Sequence, residues 1–208
     1  MRARLTAAVL WLGCGLWYLA AEAIAATNLP GYSYSIGYIS DLGVPGHSPA
    51  AGWMNSGFVI QGIGFAVAGT LVLTTVQRSR ATAPLLVLAW IYGVGCVVVG
   101  VVHGGGTGAV RITHLAGATA AIAAGNVALI VVGVELLRRR RHRAAAVASI
   151  AVGTAGLVSA VILLQPGLVG TVPWDGGAWE RGGVYSIILW QLVAAVFLLT
   201  RTRASAQR

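Results

Sequence analysis

The sequence contains no lysine, only two cysteines and only five acidic residues in 208. Charged side chains make up 9% of it, whereas a water-soluble domain carries about 25%. A soluble globule, a disordered chain and a nucleic-acid module are therefore excluded, and no nucleic-acid partner is expected. Without lysine there is neither a retinal Schiff base nor a lysine nucleophile. Two cysteines cannot build a disulfide framework. Cys14 and Cys96 each fall near the middle of an apolar run, where a thiol acts as a small packing group. The six prolines lie in loops or at helix ends, so nothing marks the broken mid-membrane helices of many transporters.

What is present is hydrocarbon. Apolar residues make up 57% of the chain, and they gather into six runs long enough to cross a bilayer, which takes about 20 residues. The runs are Leu5–Ala26, Trp53–Val76, Ala83–Val102, Ile112–Leu137, Ala144–Leu164 and Val184–Leu199. They predict a single domain over residues 1–208, an all-α bundle of six transmembrane helices. The first run follows two arginines and ends at Ala23-Ile24-Ala25, which resembles a signal-peptide cleavage site. Its length and its Trp11, Trp17 and Tyr18 favour a retained helix.

All 14 basic residues are arginine, giving a formal net charge of +9, and they are unevenly spread. Arg2, Arg4, Arg78, Arg80, Arg138–Arg141, Arg143, Arg201, Arg203 and Arg208 fall on one side of the six runs, and only Arg111 and Arg181 on the other. The positive-inside rule then places both termini of this multi-pass protein in the cytoplasm. Two longer extracytoplasmic loops are expected, Thr27–Gly52 and Gln165–Gly183. The short basic turns suit anionic headgroups, and Glu135 is expected to pair within the Arg138–Arg141 cluster. Small residues, among them Gly57, Gly62, Gly117, Ala121, Gly153 and Gly156, suit close helix contacts. Asn126 and Gln191 are amides within runs and are expected to bond between helices.

Glu22, Asp41, Asp175, Glu180, His47, His103, His114, Arg111 and Arg181 all fall at or beyond the outer boundary. Ionisable groups near hydrocarbon are functional candidates by default. The candidate ligand-binding cluster is Glu22, Ser40, Asp41, His103, Arg111, His114, Glu180 and Arg181. Each has a plainer role available: Glu22 reaching to the interface, His114 meeting a backbone carbonyl, Asp41 closing a local turn. His103 and His114 are weak candidates for a shared zinc with Asp41, Glu22 or His47, but their spacing matches no zinc motif. His103-Gly104-Gly105-Gly106-Thr107-Gly108 lacks the Gly-Lys-Ser/Thr of a phosphate loop and reads as a hairpin. Haem lacks an attachment motif, and Ser40, Asp41 and a histidine lack a nucleophile elbow. No cofactor is expected, and no catalytic residue is assigned.

Tyr32-Ser33-Tyr34-Ser35-Ile36-Gly37-Tyr38-Ile39-Ser40-Asp41-Leu42-Gly43, then Pro45 and Trp53-Met54-Asn55-Ser56-Gly57, resembles the bacterial membrane family called domain of unknown function 998. Trp179-Glu180-Arg181 followed by Leu189-Trp190 is similar to that family's closing segment. More distantly, Ile39–Gly43 is similar to the eukaryotic DRAM-type membrane proteins, although Leu42 stands where that group often has Thr. That second resemblance implies a role connected with lipids. The leading expectation is thus an outward-facing polar pocket for a lipid headgroup or similar amphiphile. Arg111 and Arg181 would meet phosphate there, and membrane lipids would be the partners. The alternatives are a structural subunit docked to a membrane-protein partner and a metal-assisted hydrolase or transferase on a lipid-linked substrate. The balance leans away from an enzyme.

Overall fold

The computed structural model describes residues 2–169 and 171–206. Its helices are α1 (Arg2–Thr27), α2 (Ala51–Thr75), α3 (Thr82–Val101), α4 (Gly108–Arg138), α5 (Arg143–Leu163), the single turn α6 (Pro166–Val169) and α7 (Gly176–Ala206). A 3-10 turn at Ser40–Gly43 interrupts the loop between α1 and α2. Six of the helices are long and apolar enough to cross a membrane, with mean hydropathy of 1.6 to 2.2 in their best windows. Inside lipid a backbone must satisfy its own hydrogen bonds, which is why each apolar run becomes helix and no strand occurs among the described residues. Pro84 sits in the first turn of α3 and Pro166 opens α6, positions where the missing N–H costs little.

Each long helix packs on the next in sequence and α7 closes back on α1, so the six make a ring. Small residues let the helices approach. A Cβ on Gly62 would lie 2.5 Å from the carbonyl oxygen of Gly93, and one on Gly93 would lie 2.8 Å from that of Gly62. The α2–α3 crossing therefore requires glycine on both sides. Lipid-facing positions carry large exposed apolar side chains such as Val9, Ile63, Val94 and Val158. Helix α1 is integral to the bundle: Ala7, Trp11, Tyr18 and Glu22 are all buried.

The boundaries differ most from expectation at the starts of α4 and α7 and at the end of α7, which runs to Ala206 instead of Leu199. Helix α7 starts at Gly176 instead of Val184, so Trp179, Glu180 and Arg181 lie on its first turns and the preceding loop is shorter. These charges are tolerated in the helix because Arg181 pairs with Glu22 and Glu180 accepts the Ile39 N–H. Helix α4 starts at Gly108 instead of Ile112, which places Arg111 in its first turn. The basic segments gather at one end of the ring. Arg4 Nη2 donates to Thr75 O at 2.9 Å, Arg139 Nη2 to Gln77 O at 2.9 Å, and the His142 ring meets Phe197 edge-on at 5.3 Å. Arg208 lies outside the described residues.

Candidate functional site

Three polar assemblies and one cavity stand out. The first is at the end opposite the arginine turns. Arg181, on the second turn of α7, is 7% exposed and Glu22, near the end of α1, 1%. Arg181 Nη2 and Nε lie 2.9 Å and 3.0 Å from Glu22 Oε1. Nη1 donates to the carbonyls of Tyr34 (2.6 Å), Gly37 (2.9 Å) and Gly177 (3.1 Å), and Nη2 also donates to the Tyr32 hydroxyl. The guanidinium lies 4.6 Å from the centre of the Tyr34 ring and 5.6 Å from that of Tyr32. Tyr185 donates its hydroxyl to the other Glu22 oxygen at 2.8 Å. Every N–H of the guanidinium is thus taken by the protein, and one arginine ties the first loop to both α1 and α7. Burial pushes the Tyr32 phenol up to about 12 against the pull of Arg181, so it stays protonated at neutral pH. Tyr34 is also raised by burial, with Glu22 adding to the effect.

The Ile39–Gly43 stretch acts as a plug in this end. Ile39 and Leu42 are fully buried against Tyr18, Met54, Phe58 and Ile188. The Ile39 N–H donates to Glu180 Oε2 in a short hydrogen bond, and Asn55 Nδ2 donates to Gly43 O at 2.9 Å. Asp41 remains half-exposed and accepts the Tyr38 N–H at 3.2 Å, closing a local turn, while Ser40 beside it is also half-exposed. The motif therefore sets two polar turn residues between two apolar anchors.

The remaining candidates sit apart from Arg181. His114 is 4% exposed, and its Nδ1 lies 2.6 Å from Val102 O, where it closes the end of α3. His103 is half-buried, and Arg111 and His47 are exposed. No hydrogen bond or ion pair among the described residues joins His103, Arg111 or His114 to the Arg181 cluster. No three His, Cys, Asp or Glu side chains among the described residues are grouped to hold a metal ion. At the basic end Glu135 pairs with Arg139 at 2.6 Å.

The second assembly lies at mid-bundle and was only half visible in the sequence. Gln61 Nε2 donates to Gln191 Oε1 at 2.6 Å and to the Tyr92 hydroxyl at 3.0 Å. Gln191 Nε2 donates in turn to Trp11 O at 2.6 Å and faces Cys14 Sγ at 3.2 Å. Both amides are fully buried, and together they join α1, α2, α3 and α7. Gln61 escaped the sequence reading, although an amide in an apolar run is the signal that singled out Gln191. A third assembly links Asn126 to Gly183 O and Ser186, both at the start of α7 (2.9 Å and 2.7 Å).

The cavity occupies the other half of the ring. Its volume is about 510 Å³, and residues of all six spans line it, including Trp11, Phe65, Ala89, Leu129, Ser149 and Val193. The lining is almost wholly apolar. Ser149 Oγ is occupied by the Trp190 Nε1 donor at 2.8 Å, and His142 stands at the basic margin. Leu189, Val193 and Phe197 line the space while remaining 57%, 62% and 41% exposed, so it opens sideways along α7. At the polar end an open depression lies by Trp17, Pro49 and Trp53.

The comparisons agree with the resemblance of the Ile39–Gly43 and Trp179–Arg181 segments. A family model described as Protein of unknown function (DUF998) matches residues 12–197, from within α1 to within α7. No curated protein and no solved structure matches the chain. The match takes in α2 to α5 whole and most of α1 and α7, and the chain belongs to the domain of unknown function 998 family.

Proposed function

We propose that this protein binds an amphiphile, a membrane lipid whose hydrocarbon part lies in the cavity between the six helices. The arginine-rich end of the bundle faces the cytoplasm of a bacterial inner membrane. The cavity carries this reading: about 510 Å³ lies within the range of about 300–1,000 Å³ typical of small-molecule sites. Its apolar wall suits a chain and offers almost nothing to a polar solute. The outer headgroup pocket expected from Arg111 and Arg181 has less support. A phosphate at Arg181 would have to displace Glu22, Tyr32 and three carbonyls.

Trp11 makes the test direct, because it lines the cavity while only 5% exposed. A phospholipid with brominated chains should quench tryptophan emission, and the quenched fraction should shrink in Trp11→Phe. Equal quenching in both proteins would count against a chain in the cavity. The saturated Arg181 cluster favours a second reading, a structural subunit whose outer charges are internal braces. A stoichiometric protein partner together with an empty cavity would support that one.

A further inference from the structure

We infer that the occupant is an anionic phospholipid, with one acyl chain in the cavity and its phosphate on the Arg138–Arg143 turn. This rests on the cavity reading above and adds the class of headgroup, its position and the route of entry.

Charge complementarity singles out that turn. The cavity reaches the basic margin at His142, whose ring meets Phe197, itself part of the lining. Arg140, Arg141 and Arg143 surround His142 in the chain and are exposed. None of the three side chains has a hydrogen bond or ion pair among the described residues. Glu135, the nearby carboxylate, is already occupied by Arg139. Three unpaired guanidiniums thus stand beside the mouth of an apolar chamber, and among the described residues no local anion answers them. Arginine forks match phosphate geometry.

Entry is lateral. Leu189, Val193 and Phe197 on α7 and Ala145 and Ala148 on α5 both line the space and are exposed. A diacyl lipid already in the cytoplasmic leaflet can pass one chain between these helices while the other stays outside. Its headgroup then sits at the depth of the arginines. A neutral lipid fits the chamber equally well but gains nothing at the turn. Each basic residue near such a headgroup contributes roughly a fivefold preference, so three contribute about a hundredfold.

The full chain, purified in mild detergent, would be given equal amounts of phosphatidylglycerol and phosphatidylcholine with identical chains. Retained lipid would be read by native mass spectrometry. We expect one retained phosphatidylglycerol with a preference of about a hundredfold. The variant R140Q/R141Q/R143Q should retain lipid without preference, and Val193→Trp should lose the retained molecule because the indole fills the mouth. Ala148→Trp on the facing helix gives a second plug should the first fail to fold.

Equal retention of both lipids by the wild type would overturn the inference and leave the cavity reading standing. Retention of neither would overturn both. A preference that persists in both plugged variants would place the lipid on the protein's outer surface at the arginines and overturn the inference as well.

Discussion

The two ends of the bundle use the same side chain in opposite ways. At the loop-rich end Arg181 is buried and every one of its donors is taken, by Glu22, Tyr32 and three carbonyls. At the other end Arg140, Arg141 and Arg143 are exposed and unpaired beside an apolar space. A charge near a membrane is therefore not by itself a ligand site. The deciding quantity is how many of its hydrogen bonds the fold has already used. Bound inside the protein, an arginine is structural; left open above a cavity, it is free to recognise an anion.

Breaking the first half of that comparison should have the largest effect. Removing one partner of a buried ion pair leaves the other uncompensated, at a cost of about 3–5 kcal/mol. Arg181→Ala should therefore lower the thermal midpoint sharply or abolish detergent-stable protein, measured by fluorescence-detected size exclusion after heating. It leaves Glu22 without its cation and the Tyr34 carbonyl without its Arg181 donor, although Tyr32 still donates to Gly37 O and Tyr38 O. Arg181→Lys should rescue only part, because an ammonium cannot reproduce the planar fork. A variant as stable as wild type would mean that this end is not braced as described.

Next in size is the plug. Leu42 is fully buried among Tyr18, Phe58 and Ile188, and truncating such a side chain costs about 2–5 kcal/mol. Leu42→Ala should destabilise strongly, whereas Asp41→Asn, at a half-exposed position with one local bond, should change the midpoint little. If the two were equally damaging, the motif would owe its role to the carboxylate and not to its apolar anchors.

The contrast also explains what the sequence could disclose. All six spans were legible, since a bilayer demands long apolar runs and little else satisfies that demand. The start of α7 was not, because Glu180 and Arg181 looked like loop charges. Their burial depends on Glu22, 159 residues from Arg181, and on the Ile39 N–H, 141 residues from Glu180. The charged outer residues were legible as a set by the cost of burying charge. Their division into a saturated Arg181 group and a separate His114 was not, because pairing is set by which helices touch. The cavity left no trace at all. It is a space between six helices, and no single run of residues encodes it.

Between the two ends the Gln61–Gln191 pair offers an intermediate case. Interhelical hydrogen bonds inside membranes average about 0.6 kcal/mol, with a maximum near 1.7. Gln61→Leu should cost about that much, and the double substitution Gln61→Leu/Gln191→Leu less than the sum of the single ones. In the double variant no amide is left unsatisfied opposite an apolar side chain, although Trp11 O and the Tyr92 hydroxyl each lose a donor.

The smallest effect sharpens the comparison most. Substituting Arg140, Arg141 and Arg143 together by glutamine removes three charges, against one in Arg181→Ala. Exposed substitutions away from caps and buried partners usually stay within about 0.5 kcal/mol each. These side chains have no protein partner to lose, and relieving their mutual repulsion works in the opposite direction. The thermal midpoint measured without added lipid should therefore scarcely move. Added phosphatidylglycerol should raise the midpoint of the wild type and leave that of the triple variant nearly unchanged, because only a ligand that prefers the folded wild type shifts its stability. A triple variant that melts early without lipid would mean that these arginines, like Arg181, are held by the fold, and the two ends of the bundle would no longer differ.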